Sequence, residues 1–342
     1  MLPLVSIVIP NWNGRKYLGN CIDSLMKQSH NNLEIIVVDN ASADDSVEYL
    51  QNNFPDVKVI KHSRNLGFGA ANNEGIRAAR GKYLVMLNND TILEPRCIEE
   101  LRNSIDKDEK FGACASKILL EHEDNLLDVA GIAVCLDGLS IGRGRLESGD
   151  KFDDEEEVFF ASDCACLYKK EMLDDIGLTN EVYDEDFFAY ADETDMGWRA
   201  QLAGWKCIYN PQAVVYHLHS ASFSNYSSFK AFLVERNRIW VAVKSFPVSL
   251  LILGIFYTML RYFYQALGAL IGKGAAGKFT KEANKLELIK ILIKANISAF
   301  LGLPKMLKKR REIMKKKRIP NREFYKLLKR FGISARTIAM KE

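Results

Sequence analysis

Four apolar runs in the first ninety residues each stop at polar residues, and helical spacing fills the gaps between them. The runs are Leu4–Pro10, Leu33–Val38, Val57–Lys61 and Tyr83–Leu87. After the first, Leu18, Cys21, Ile22, Leu25 and Met26 recur at the steps of a helix over Lys16–Gln28. Ser42 or Asp44 opens a second helix through Leu50, and a third carries Asn72, Asn73 and Ala78 before Gly81 ends it. Uninterrupted apolar strands alternating with helices predict a Rossmann-like α/β fold, a mostly parallel sheet with helices on both faces. In such sheets ligands bind at the carboxyl ends of the strands. Asn11, Asp39 and Asn88-Asn89-Asp90 stand at three of those ends, so amides and carboxylates are expected along one crevice. Asp90 there offers a hard oxygen to a divalent cation beside phosphates. Taken alone, Asn89-Asp90-Thr91 equally suits a turn ahead of a helix near Glu94-Pro95.

Further along, strands are expected near Ala113–Leu119 and Gly131–Val134. Asp150–Glu157 holds six acids in eight residues, a solvated loop with acceptor contact as the sharper alternative. Val158–Tyr168 reads as one strand whose Asp163 faces the cleft, followed by a short helix from Lys170 to Asp175. Asp192 and Asp195 suit the first turn of a helix running to Leu202. Trp205–Tyr209 and Ala213–His217 predict two strands about an Asn210-Pro211 turn, with His217 and His219 following.

Composition changes beyond Ser222, so residues 1–225 and 226–342 are expected to form separate regions. The second opens with an amphipathic helix over Ser227–Lys244. Ser245–Leu260 and Tyr262–Gly272 are uncharged but divided by Arg261. A spanning helix needs about twenty apolar residues, so two helices lying in a membrane interface are expected, with burial or a true span as alternatives. Ala283–Phe300 is a further amphipathic candidate. From Lys305 onward the chain carries fifteen Lys/Arg against three Glu, about +12, which leaves about −9 of the net +3 to the remainder. That asymmetry beside apolar helices predicts an anionic membrane surface as partner, and no nucleic-acid signature is present. The seven cysteines show no CxxC pair, neither a disulfide framework nor a zinc site, and no basic segment precedes the first strand. A cytoplasmic protein, peripheral on the inner face of the cell membrane, is the expectation.

The residues also resemble a family. Val5–Gly14, Val37–Ser42, Asn65–Gly69 with Asn72-Asn73, Asn88–Asp90, Asp192–Asp195 with Arg199, and His217 are similar, in this order, to motifs of family 2 glycosyltransferases. The bacterial rhamnosyltransferase-like members, which build surface polysaccharides, are the most similar, and the likeness covers about two-thirds of the chain. The resemblance implies a GT-A fold binding a UDP- or dTDP-linked sugar. It implies that Asp39 reads the pyrimidine base, that Pro10 and Asn11 line its pocket, and that Asn40, Asn73, Asn88 and Asn89 touch the donor. Asn88 stands where relatives carry the first acid of a DXD motif, which leaves Asp90 as the anionic ligand for Mg2+ or Mn2+. His217 resembles a second metal ligand, with His219 as its competitor. An acceptor hydroxyl must lose its proton as it attacks. The motif puts that base at Glu193, where relatives usually have Asp, with Asp192 as the alternative, and leaves Asp195 and Arg199 to helix capping and an ion pair. The implied activity is inverting transfer of a deoxyhexose such as rhamnose to a lipid-linked or polysaccharide hydroxyl. Two other readings stay open: a degenerate nucleotide-sugar binder, suggested by Asn88, and a nucleotidyltransferase, for which Asn11–Arg15 lacks a glycine- and lysine-rich phosphate loop.

Overall fold

β1 (Val5–Asn11) is buried along nearly its whole length because strands flank it on both sides in a ten-stranded sheet. The computed structural model describes residues 2–218, 227–274, 276–278 and 285–340. Two compact units divide the chain. The first comprises Met1–Ile132, Gly142–Phe188 and Ala203–Ser222, and the second Ala133–Ile141, Ala189–Leu202 and Phe223–Glu342.

In the first unit β1 pairs in parallel with β2 (Leu33–Asp39) and with β4 (Tyr83–Leu87), and β3 (Lys58–Lys61) adds to β2. Helices α1 (Arg15–Met26), α2 (Ser46–Asn53) and α3 (Phe68–Ala78) connect them, as the alternation predicts. Leu18, Ile22 and Leu25 of α1 pack with Val5, Ile7, Ile9, Val37 and Val85 into one core. Strand order β3-β2-β1-β4 means that the chain reverses direction across the sheet at β1, which opens a crevice at the carboxyl ends of β1 and β4.

Beyond β4 the sheet is mixed. β5 (Thr91–Leu93), α4 (Cys97–Ile105), β6 (Phe111–Leu120), β7 (Leu127–Val129), β8 (Ile132–Val134), β9 (Ser140–Gly142) and β10 (Glu156–Val158) lead to β11 (Ala165–Lys169). β11 enters antiparallel between β4 and β6. The expected strand over Val158–Tyr168 is therefore two strands. Asp163 lies in the loop between them, buried, and accepts from the hydroxyls of Tyr168 (2.7 Å) and Tyr183 (2.9 Å). The acidic run is only partly a loop, since Glu156 and Glu157 belong to β10. Lys117, Lys107 and Lys206 pair with Asp153, Glu155 and Glu157.

α5 (Lys170–Ile176) and α6 (Asp192–Leu202) precede β12 (Lys206–His217), which replaces the two strands expected about Asn210-Pro211. β12 runs parallel to β6 throughout, with Pro211, Gln212 and Ala213 as extra residues between the Asn210↔Ser116 and Val214↔Lys117 pairs. A bulge absorbs the proline that reads, in one dimension, as a turn.

The second unit is helical: α6, α7 (Ser228–Ser245), α8 (Val248–Ile271), then Lys285–Leu301, Leu303–Lys316, Asn321–Phe331 and Ala335–Met340. Trp198 of α6 stacks on Phe324 with centroids 4.4 Å apart, and Phe246 meets both edge-on. α8 corrects the expectation of two helices, because it runs unbroken through Arg261. Arg261 does not divide it because the guanidinium is buried, bonding Asp137 Oδ2 at 2.8 Å and Glu235 Oε2 at 3.1 Å. Arg238 pairs with the same Glu235. Among the described residues α8 is the one helix long and apolar enough to cross a membrane by length and composition.

Candidate functional site

The ends of β1 and β2 are in register, Asn11 opposite Asp39. Asn11 Nδ2 donates to Asp39 Oδ1 at 3.0 Å, and Asn89 Nδ2 donates to Asn11 Oδ1 at 2.7 Å. Ser42 donates its backbone N–H (3.0 Å) and its hydroxyl (2.5 Å) to the Asp39 carboxylate. The three strand ends are thus joined in series, Asp39 to Asn11 to Asn89. Gly14 makes this possible, since a Cβ there would lie 2.0 Å from Asn89 Nδ2 and 2.4 Å from Asn11 Oδ1. Pro10 is half-buried at the end of the same strand.

Asp90 follows directly and is buried. Its Oδ1 lies 3.3 Å from Nε2 of His217, which the last pairing of β12 sets opposite Thr91 of β5. The other nitrogen of that ring, Nδ1, lies 2.7 Å from Oδ2 of Asp128 on β7. Arg145 pairs with Oδ1 of Asp128. Cys164 completes the cluster, with ligand atoms of Asp128, Cys164 and His217 all within 4.8 Å of one another. Burial lowers the basicity of His217, but Cys164, Asp128 and Asp90 outweigh it and raise the ring well above its ordinary value. Burial raises the Cys164 thiol, so it stays protonated near neutrality and the carboxylates carry the effect on the ring.

This donor set fits a divalent cation. A neutral imidazole has one N–H and one lone pair, yet both nitrogens of His217 face carboxylate oxygens. Two acceptors at 3.3 Å repel unless a proton or a metal ion sits with them. A carboxylate and an imidazole, Asp90 and His217, suit a hard or borderline ion such as Mg2+ or Mn2+.

The remaining expected residues divide. Asn88 holds the loop by its backbone, donating N–H to Cys164 O (2.9 Å) and accepting from Thr91 Oγ1 (2.7 Å), and its side chain is half-buried. Asn40 and Asn73 are hydrogen-bonded within the first unit. Asn40 Nδ2 donates to Asn65 Oδ1 and Gly67 O, while its Oδ1 takes Leu66 N–H and faces His62 Nδ1. Asn73 Nδ2 donates to Tyr183 O and Glu185 Oε1, and its Oδ1 accepts from Val182 and Tyr183 N–H. Both amides are held by loops of their own unit.

In the second unit Asp192 is buried and Glu193 half-buried at the start of α6. Phe188, Tyr190 and Ala191 ahead of them have φ near +67°, +67° and +65°, a left-handed conformation that side chains with a Cβ rarely adopt. Asn237 holds this turn by donating to Ala189 O (2.8 Å) and Tyr190 O (2.9 Å). Asp195 forms the ion pair expected of it, with Arg199 at 2.9 Å, and a second with Lys244 at 2.6 Å. His219 lies outside the described residues.

Asp128 and Cys164 were not expected at the site. Spacing cannot find them, because β7 and the β11 loop reach His217 only through the sheet. The one available sign was an acid in the apolar run Leu126-Leu127-Asp128-Val129-Ala130.

Fold and strand-end carboxylates together define the class, an α/β protein of the GT-A type. Residues 6–177, half of the chain, match the family model described as Glycosyl transferase family 2, and the chain belongs to that family. It is similar to the chondroitin synthase of Escherichia coli, 38% identical over 110 residues, or 31% of this chain and 16% of that one. It is also similar to the glycosyltransferase GlyG of Streptococcus pneumoniae serotype 4, 29% identical over 231 residues, 65% of this chain and 73% of that one. Among solved structures, GalNAc-T7 with UDP, GalNAc and Mn2+ shares the fold at a TM-score of 0.57 and 19% identity, covering 71% of this chain and 48% of that one.

Proposed function

We propose that the chain transfers a sugar, a deoxyhexose such as rhamnose, from a UDP- or dTDP-linked donor to a hydroxyl of a lipid-linked or polysaccharide acceptor, with inversion. The observation that carries the donor half of this reading is the bonded series Asp39–Asn11–Asn89, continued by Asp90 and His217. Asp39, fixed by Asn11 and Ser42, presents a carboxylate to the base of the nucleotide, with Pro10 and Asn11 lining its pocket. Asn88 and Asn89 contact the diphosphate arm. Asp90 and His217 hold Mg2+ or Mn2+, which when bound neutralises the charge that develops on a departing diphosphate. Glu193 takes the proton from the acceptor hydroxyl, with Asp192 as its alternative. The sugar and acceptor rest on the family likeness. An anionic membrane surface as partner, on the inner face of the cell membrane, rests on the basic segment that follows the apolar helices.

The purified chain, offered a panel of nucleoside-diphosphate sugars with Mg2+ or Mn2+, should release nucleotide from one class, and Asp90→Ala should abolish that release. A protein that binds a nucleotide sugar without turnover under every acceptor tried would favour the degenerate reading that Asn88 raises.

A further inference from the structure

We infer that Asp128 is a positioning residue, one that sets which nitrogen of His217 is offered to the cation. The inference rests on reading Asp90 and His217 as ligands of a divalent ion.

β6 separates the two residues in the sheet. His217 ends β12 along one edge of β6, and Asp128 stands in β7 along the other, where β6 has passed β11. Their side chains meet at 2.7 Å, through His217 Nδ1 and Asp128 Oδ2. An ionised carboxylate only accepts hydrogen bonds, so this contact holds the ring proton on Nδ1. With an ion bound, Nε2 carries the lone pair toward it, and it is Nε2 that stands 3.3 Å from Asp90. Arg145 pairs with the other oxygen of Asp128, which fixes the plane of that carboxylate. Arg145, Asp128, His217 and Asp90 form one chain of contacts ending where the cation is expected. Without Asp128, the proton is free to move to Nε2, where it would bond Asp90 and compete with the ion. Outer partners of ligating histidines commonly contribute a factor of about 10–100 in metal affinity.

The test measures Mn2+ binding to the full chain from the free-ion paramagnetic signal, beside a thermal melt of each variant. Asp128→Asn should melt normally and bind Mn2+ about 10–100-fold more weakly. His217→Ala should lose at least as much, and the double variant should lose no more than His217→Ala alone. Nitrogen-15 shifts of the Mg2+-loaded wild type should place the His217 proton on Nδ1, a measurement that stands even if a variant misfolds. Unchanged Mn2+ affinity in Asp128→Asn, losses that multiply in the double variant, or a proton on Nε2 with Mg2+ present would each overturn the inference. Wild-type affinity in both Asp90→Ala and His217→Ala would instead end the metal reading on which it rests.

Discussion

Asn11, Asn40, Asn73 and Asn89 share one chemistry and differ in what surrounds them. Asn40 and Asn73 spend their amides on neighbouring loops, whereas Asn11 and Asn89 bond each other at the mouth of the crevice. Asn73→Ala would remove the acceptor of the Val182 and Tyr183 N–H groups, a cost of about 1–3 kcal/mol. We expect it to lower the unfolding midpoint while the donor KM stays near wild type. Asn11→Ala should do the reverse, raising donor KM several-fold at a modest cost in stability. Steady-state kinetics beside urea unfolding separate the two outcomes, and a raised donor KM in Asn73→Ala would return it to the donor site. The difference is not legible in the sequence, where both stand in asparagine-rich motifs. Asp90 was legible because a buried strand must end somewhere and a carboxylate at that end needs a reason. Asp128 was not, because its partner lies 89 positions away and only sheet pairing brings them together.

α8 shows the same limit at the scale of the element. An arginine amid apolar residues argues for a break, yet buried Asp137 and Glu235 supply the charges that let the helix continue. Burial raises the Glu235 carboxyl, but Arg238 and Arg261 outweigh it and hold it down at about 2 against an ordinary 4.5. A depressed carboxylate stabilises the fold in full above its unfolded value, and that contribution drains away as pH falls from about 4.5 toward 2. Urea midpoints measured across that range should decline, and Glu235→Gln should flatten the slope while costing about 3–5 kcal/mol at neutral pH. An equally steep decline in Glu235→Gln would mean that other acids set it. Because one face of α8 is pinned in this way, Ile252, Phe256, Met259, Phe263 and Leu270 form an exposed apolar stripe on the other, the face that the proposed membrane contact would use. The alternation of strands and helices through β4, by contrast, follows directly from apolar spacing. Long-range pairing of β11 and the bulge in β12 have no local signature.

At the scale of the whole molecule, charge is segregated along the chain, with about +12 after residue 304. If the anionic-membrane reading holds, deleting residues 305–342 should weaken flotation with anionic vesicles, and added salt should do the same to the intact chain. Replacing Phe256 and Phe263 with serine should weaken binding to neutral vesicles as well. Vesicle binding indifferent to deletion and to salt would remove the electrostatic part of that reading. The change in composition near residue 225 was visible in the sequence. Less visible was that the second unit also takes in Ala133–Ile141 and Ala189–Leu202. Asp137 neutralises Arg261, Asp195 neutralises Lys244, and Trp198 stacks on Phe324 and meets Phe246 edge-on. A chimaera that exchanged only the tail for that of a relative would therefore inherit an orphaned Asp137 and a stranded indole, so any transplant has to carry those two inner stretches along with it.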